Sequence, residues 1–116
     1  MQLKISSNNV DGILVMHCIG RIVFGEESSL LRDEVKKAIP DNSKIILNLG
    51  EVSYIDSGGL GTLVALHATA STNGSIIKLA NLTKRVGDLL QVTKLLTVFD
   101  VFNTEGEAIE SFRKAA

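Results

Sequence analysis

The chain has 116 residues, a hydrophobic fraction of 45% and a formal net charge of −1 at pH 7. This length fits one compact core, so we expect residues 1–116 to form a single domain. The lysines and arginines are scattered, and the absence of a basic stripe argues against nucleic acid as a partner. No apolar run approaches the ~20 residues of a membrane span, and the polar start lacks a signal peptide's apolar stretch. Composition therefore predicts a soluble, cytoplasmic protein.

Cys18 is the single cysteine and lies within the apolar run Ile13–Ile19. A chain with one cysteine forms no intrachain disulfide, which agrees with a reducing compartment. A reactive or metal-binding thiol would need partner side chains, and the chain has two imidazoles, His17 and His67. We therefore expect Cys18 to be a buried core residue, and we predict neither a metal site nor a cofactor.

The first half of the chain predicts a hairpin, a helix and a central strand. Leu3–Ile5 and Ile13–Ile19 are typical of strands, and segment 8–12 between them contains Asn and Gly residues that tolerate positive φ. Over Glu26–Ile39 apolar residues recur at helical spacing. The run Ile45–Leu49 is almost continuously apolar, as expected of a strand that is covered on both faces.

The second half of the chain predicts strands alternating with helices. Helical spacing of apolar residues indicates a helix that ends at Asn73-Gly74, and Ile76–Leu79 follows as a strand. A strand, a helix and a strand in this order predict a right-handed parallel crossover. A third helix comes next, then a short edge strand over Val98–Phe102 and a last helix.

The last helix carries a clear capping signal, because Thr104 is followed three residues later by Glu107. Their hydroxyl and carboxylate are expected to accept hydrogen bonds from the backbone reciprocally. Taken together, the predicted elements belong to the α/β class. We expect about four helices packed on a mixed sheet of about four to five strands.

Segment 54–61, Tyr-Ile-Asp-Ser-Gly-Gly-Leu-Gly, follows the central strand and opens a helix with three glycines. Each glycine inside a helix costs about 0.5 to 1 kcal/mol relative to alanine, so the three indicate that something needs close access to this backbone. Asp56 or Ser57 is expected to cap the helix. Ser57 would then lie at the carboxyl end of the strand, where α/β sheets place their sites and where a helix N-terminus can hold a phosphate.

The sequence lacks the residues that an enzyme would need to use Ser57 in catalysis. Asp-Ser-Gly-Gly also occurs in serine proteases, but their fold needs two β-barrels and about twice this length. Ile55 breaks a nucleophile elbow, and Gly61-Thr62-Leu63 lacks the lysine of a Walker loop. His67, ten residues further along the helix, is expected about 15 Å from Ser57, too far for a general base. We therefore predict no catalytic residue.

Segment 52–63, which contains Asp56 and Ser57, resembles the core motif of the STAS domain family, and within it of the stand-alone anti-sigma factor antagonists of bacteria. The family has a hydrophobic residue, Asp, Ser, a small residue, Gly, an aliphatic residue and Gly after its central strand. Gly20, the run Ile45–Leu49 and segment 90–99 support the resemblance. It covers nearly the whole chain and implies one STAS domain over residues 1–116.

The resemblance implies regulation by partner switching. In such proteins the serine after the aspartate, here Ser57, is phosphorylated by an anti-sigma factor that is a serine kinase with a histidine-kinase-like ATP-binding fold. The unmodified antagonist binds this anti-sigma factor and thereby frees the sigma factor. The phosphorylated antagonist releases the anti-sigma factor, and a metal-dependent serine phosphatase restores the unmodified antagonist. The residues expected at the partner surface are Asp56, Ser57, Gly58, Gly59, Phe24 and Gly25.

Two departures from the family pattern leave the partner open. Val23 stands where the family often has an aspartate, in a segment 20–25 that is one residue longer, and Gly58 stands where it often has a second serine. The alternative is an STAS interaction domain that is not phosphorylated and serves a stressosome-like or transporter-associated assembly.

Overall fold

A mixed sheet runs through the centre of the molecule, of which the computed structural model describes residues 3–114. The strands are β1 Leu3–Val10, β2 Ile13–Ile22, β3 Lys44–Ile55, β4 Ile76–Ala80 and β5 Val101–Phe102. The helices are α1 Glu26–Ala38, α2 Ser57–Thr72, α3 Lys84–Val92 and α4 Glu105–Lys114. The strands lie in the order β1-β2-β3-β4-β5, so the predicted mixed α/β sheet is confirmed.

The first two strands form the predicted hairpin. β1 and β2 pair antiparallel, and the turn between them contains Asp11 and Gly12 at φ angles of 53° and 84°. The amide of Gly12 donates a hydrogen bond of 2.9 Å to the Asn9 side chain. β2, β3, β4 and β5 pair parallel to one another, so the chain crosses the sheet through a helix after each of these strands except the last.

The central strand β3 separates two apolar clusters. On one face Ile45, Leu47 and Leu49 pack with the buried residues of α1, α2 and α3. On the other face Ile46 packs with Ala108 and Phe112 of α4. The prediction that the run 45–49 is covered on both faces is therefore confirmed.

Cys18 is a core residue of β2, as predicted. Its side chain is 1% exposed, and burial raises the pKa of its thiol to about 12. A thiol with so high a pKa stays protonated near neutral pH, which leaves it a poor nucleophile and a poor metal ligand.

Each of the two histidines contacts a side chain distant in sequence, one aromatic and one acidic. His67 packs edge-to-face on the ring of buried Phe99, with the ring centroids 5.3 Å apart. His17 is less buried than its apolar strand indicated. Its side chain is 38% exposed and its Nε2 lies 3.3 Å from Oε1 of Glu105.

Several strand boundaries differ from the predictions. β1 continues beyond Ile5 to Val10, and β2 continues beyond Ile19 to Ile22. β3 continues beyond Leu49 to Ile55, where Val52 and Ile55 are buried and the two residues between them are exposed. The predicted strand Val98–Phe102 was too long, because only its last two residues form β5 and a 3₁₀ turn, Leu95–Thr97, precedes them. The capping box is confirmed: the Glu107 amide donates to Thr104 Oγ1 at 3.0 Å, and the Thr104 amide donates to Glu107 Oε1 at 3.2 Å.

Candidate functional site

Ser57 is the first residue of α2 and follows the carboxyl end of β3 after a single intervening residue. That residue, Asp56, has extended backbone angles and caps the helix, as predicted. The side chain of Ser57 is exposed, whereas Gly59, one half-turn later, is buried against the sheet. The serine hydroxyl is therefore accessible on the surface beside the positive end of a helix dipole.

The carboxylate of Asp56 joins two separate parts of the chain. Its Oδ1 accepts a hydrogen bond of 2.8 Å from the Gly59 amide, and both of its oxygens lie 3.1 Å from the amide nitrogen of Phe24. The hydrogen bond from Gly59, followed by that from Phe24, lowers the pKa of the Asp56 carboxyl below its ordinary value. The start of α2 and the loop between β2 and α1 are thus held together by one anion.

Glycine residues let this loop approach the helix. A β-carbon at Gly59 would lie 2.0 Å from the carbonyl oxygen of Ile22, and one at Gly58 would lie 2.7 Å from Cβ of Phe24. Nothing lies within 4 Å of a β-carbon placed at Gly61. The three glycines predicted that some group lies close to this backbone. At Gly58 and Gly59 that group is segment 22–24 of the same chain.

Five of the six residues expected at the partner surface lie together and are exposed or half-buried. Gly59 is instead buried against the end of β2, so the prediction that it lies at the partner surface is wrong. Phe24 contacts Asp56 and Gly58, and Gly59 packs against the end of β2. Gly25 has a φ of 106°, a conformation that side-chain-bearing residues rarely adopt, and it precedes the first residue of α1. A continuous surface of two loops and one helix start results.

A groove between α3 and the junction of β3 with α2 borders Ser57 on one side. Its volume is about 540 Å³, and Tyr54, Arg85 and Val92 contribute to its lining. The Arg85 guanidinium lies 6.0 Å from the centroid of the Tyr54 ring, and the side chain of Val92 is 80% exposed. Sequence spacing did not single out these residues, because α3 is distant from Ser57 in the chain and meets it through the fold alone.

A second groove borders Ser57 on the side of α1. Its volume is about 500 Å³, and Phe24, Ser29 and Arg32 line it together with Gly58 and Thr62. Arg32 donates a hydrogen bond of 3.1 Å from Nη2 to the Ser29 hydroxyl. Ser57 contributes to both grooves and therefore stands on the ridge between them.

The side chains around Ser57 offer hydrogen-bonding, apolar and charged contacts. The described residues contain no cluster of three or more His, Cys, Asp or Glu side chains suited to a metal ion. Within residues 3–114, none of the helices has the length and apolarity needed to cross a membrane. The groups at the site include the exposed Ser57 hydroxyl, the hydrogen-bonded Asp56 carboxylate, the Asp88 carboxylate and the cationic side chains of Arg32 and Arg85.

Replacing Asp56 with alanine is expected to lower the free energy of unfolding by about 1 to 2 kcal/mol at pH 7, because the helix cap and the link to Phe24 are both lost. The lowered pKa means that the folded state favours the ionised carboxyl, so this contribution is present above about pH 4 and declines as the pH falls through the folded-state pKa. Urea denaturation at pH 7 and pH 3 measures it, and the difference between wild type and variant should shrink at pH 3.

The matched control is Asp33→Ala, at an exposed position on α1. We expect this change to alter stability by no more than about 0.5 kcal/mol at pH 7. An Asp56→Ala variant that is as stable as wild type at pH 7 would contradict the assigned link between the loop and the helix.

Comparison with known proteins identifies the family of this chain. The STAS domain model matches residues 4–108. The anti-sigma-B factor antagonist of Listeria monocytogenes is 31% identical over 90 residues, which cover 73% of this chain and 79% of that protein. Its coverage and identity make it a relative along most of both chains.

Solved structures share the fold. The crystal structure of an anti-sigma factor antagonist from Mycobacterium paratuberculosis matches with a TM-score of 0.83 at 18% identity and covers 96% of this chain and 94% of its own. The Bacillus cell fate determinant SpoIIAA in its phosphorylated form matches with a TM-score of 0.73 at 20% identity, covering 94% and 99% of the two chains. With the sheet order, the helix that opens at Asp56 and the family match over residues 4–108, the chain belongs to the STAS domain family.

Proposed function

We propose that this chain is an anti-sigma factor antagonist that acts by partner switching at Ser57. The observation that carries the proposal is the exposed Ser57 hydroxyl on a ridge between two grooves, beside the Phe24 loop that Asp56 holds in place. The names of the relatives support the antagonist function, since they include an anti-sigma-B factor antagonist that is 31% identical.

In this proposal the partner is an anti-sigma factor that is also a serine kinase with a histidine-kinase-like ATP-binding fold. The kinase transfers the γ-phosphoryl group of ATP to Oγ of Ser57. A bond forms between Oγ and the γ-phosphorus, the bond from that phosphorus to the bridging oxygen breaks to release ADP, and the serine proton leaves to a base of the kinase. A metal-dependent phosphatase hydrolyses the phosphoserine, which restores the hydroxyl and releases phosphate.

A phosphate on Ser57 would change the surface more than the fold. It adds about −1.5 to −2 charges next to the Asp56 carboxylate, at a place that a partner must contact closely. The N-terminus of α2 stabilises a negative charge at this position, so the helix is retained. Release of the partner then follows from like-charge repulsion and steric bulk at the interface.

Phosphosite mapping of the protein recovered from its native cells tests the proposal, with the proteins that co-purify identified. We expect a phosphate on Ser57, and an ATP-binding regulator retained by the unphosphorylated form alone. Ser57→Ala should abolish the modification, whereas Ser71→Ala, at an exposed serine near the other end of α2, should leave it in place.

An unmodified Ser57 during both growth and stress, together with a constant partner, would refute the switch. That outcome would favour the alternative, a STAS scaffold of a stressosome-like or transporter-associated assembly. The residues that give this alternative its basis are Val23 and Gly58, where the chain departs from the family pattern.

A further inference from the structure

Phe24 is an aromatic side chain placed on the surface, with 81% of it exposed. Exposed apolar residues are common in soluble proteins, so the exposure alone requires no functional explanation. The position is informative, because Phe24 lines the same groove as Ser57 and Gly58. A partner that reaches the Ser57 hydroxyl from this side meets the ring of Phe24 as well.

Several contacts hold the backbone around Phe24 in one conformation. Its own amide donates to the Asp56 carboxylate, with 3.1 Å to each oxygen. The preceding carbonyl, of Val23, accepts hydrogen bonds from the amide and the hydroxyl of Ser28 at 3.1 and 2.7 Å. Gly25 follows with a φ of 106°. An exposed aromatic on a backbone ordered in advance loses little entropy when it enters a pocket.

Gly58 is part of the same arrangement. A β-carbon at this position would lie 2.7 Å from Cβ and 3.1 Å from both Cα and Cδ1 of Phe24. The glycine therefore allows Phe24 to pack against the start of α2. Gly58, one of the two departures from the STAS pattern, therefore leaves the space in which Phe24 lies beside Ser57.

Charged groups of both signs lie around Phe24. Glu26 begins α1 two residues after Phe24, whereas Arg32 lines the same groove as Phe24 and Ser57. Rigid aromatic residues are frequent centres of binding energy in interfaces, and charges around them guide association. These features specify the complementary surface: an apolar socket with a cationic side chain opposite Glu26 and an acidic side chain opposite Arg32.

We propose that Phe24 is the anchor with which the unphosphorylated protein binds its partner, and that the partner carries an apolar socket with an acidic side chain opposite Arg32 and a cationic side chain opposite Glu26. This inference rests on the proposed function and adds the chemistry that selects the partner. It differs from recognition through Ser57 itself, because Phe24 sets affinity and specificity whether or not the serine can be modified.

The test is calorimetric titration of the purified ATP-binding regulator that co-purifies with the unphosphorylated protein. Phe24→Ala is expected to raise the dissociation constant about 30-fold or more. Phe24→Leu should retain most of the wild-type affinity, because the socket is apolar. The control is Ile76→Ala. Ile76 is 52% exposed at the start of β4, at the opposite end of the parallel strands from Ser57, and the change should alter affinity less than twofold.

The melting temperature distinguishes a folding defect from a loss of binding in this experiment. Phe24 is mostly exposed, so Phe24→Ala should keep its melting temperature within about 3 °C of wild type. If Phe24→Ala binds as tightly as wild type while Ser57→Asp does not bind, the anchor is refuted and the antagonist function stands. If the wild type itself binds no such regulator, the proposed function fails and the anchor fails with it.

Discussion

Replacing Gly59 with alanine is expected to destabilise the fold by about 3 kcal/mol or more. The new β-carbon would lie 2.0 Å from the carbonyl oxygen of Ile22 and 2.7 Å from its carbonyl carbon, and neither backbone atom can rotate away. The same oxygen accepts a hydrogen bond of 3.3 Å from the Asp56 amide. Relief of the clash therefore separates α2 from the end of β2 and disturbs the candidate site. Urea denaturation monitored by circular dichroism measures the loss.

Gly61→Ala is the matched control, two residues further along the same helix. Its β-carbon meets nothing within 4 Å, so alanine brings its higher helix propensity without a clash. We expect this variant to be more stable than wild type by about 0.5 to 1 kcal/mol. Equal effects of the two substitutions would contradict the assigned packing of α2 against Ile22.

Ser57→Asp is expected to weaken binding of the ATP-binding regulator about 100-fold, because a like-charge contact or an unpaired charge at an interface costs several kcal/mol. The fold should be unaffected, since Ser57 is exposed and an acidic residue suits a helix N-terminus. Surface plasmon resonance or calorimetry with the unphosphorylated regulator measures the change in affinity. Thermal unfolding checks that the variant is folded.

Ser57→Ala separates charge from the loss of the hydroxyl. This variant cannot be phosphorylated, yet it introduces neither charge nor bulk, so we expect it to bind within about threefold of wild type. A Ser57→Asp variant that binds like wild type would contradict the proposal that negative charge at this position releases the partner. The proposal would also be contradicted by an alanine variant that binds as weakly as the aspartate variant.

Much of the fold was predictable from local patterns. Alternating or continuous apolar runs indicated the hairpin and β3, because side-chain period and burial follow directly from strand geometry. Turn and cap residues placed boundaries correctly where the signal is local, as at Thr104 and Glu107. Where packing decided, prediction was wrong: segment 98–100 has strand-like residues, yet Phe99 turns into the core against His67 and the strand begins later.

The candidate site was predictable in part. Asp56, Ser57 and the glycines stood out because a helix start has distinctive capping and backbone requirements. Their relation to Phe24 was not derivable from spacing, since the hydrogen bond to Asp56 joins residues 32 positions apart. The groove that contains Arg85 and Val92 depends in the same way on how α3 packs on β3.

The sequence alone determined the α/β class, the core position of Cys18, a helix cap at Asp56 or Ser57 and the exposed position of Ser57, because each depends on residues that are close together in the chain or on overall hydrophobicity. Tertiary structure alone decided that Ile22 and Phe24 are the groups for which Gly59 and Gly58 make room. It also decided that Ser57 stands between two grooves. The physical reason is that parallel strand pairing brings the ends of β2 and β3 together, and neither end carries a local signal for the other.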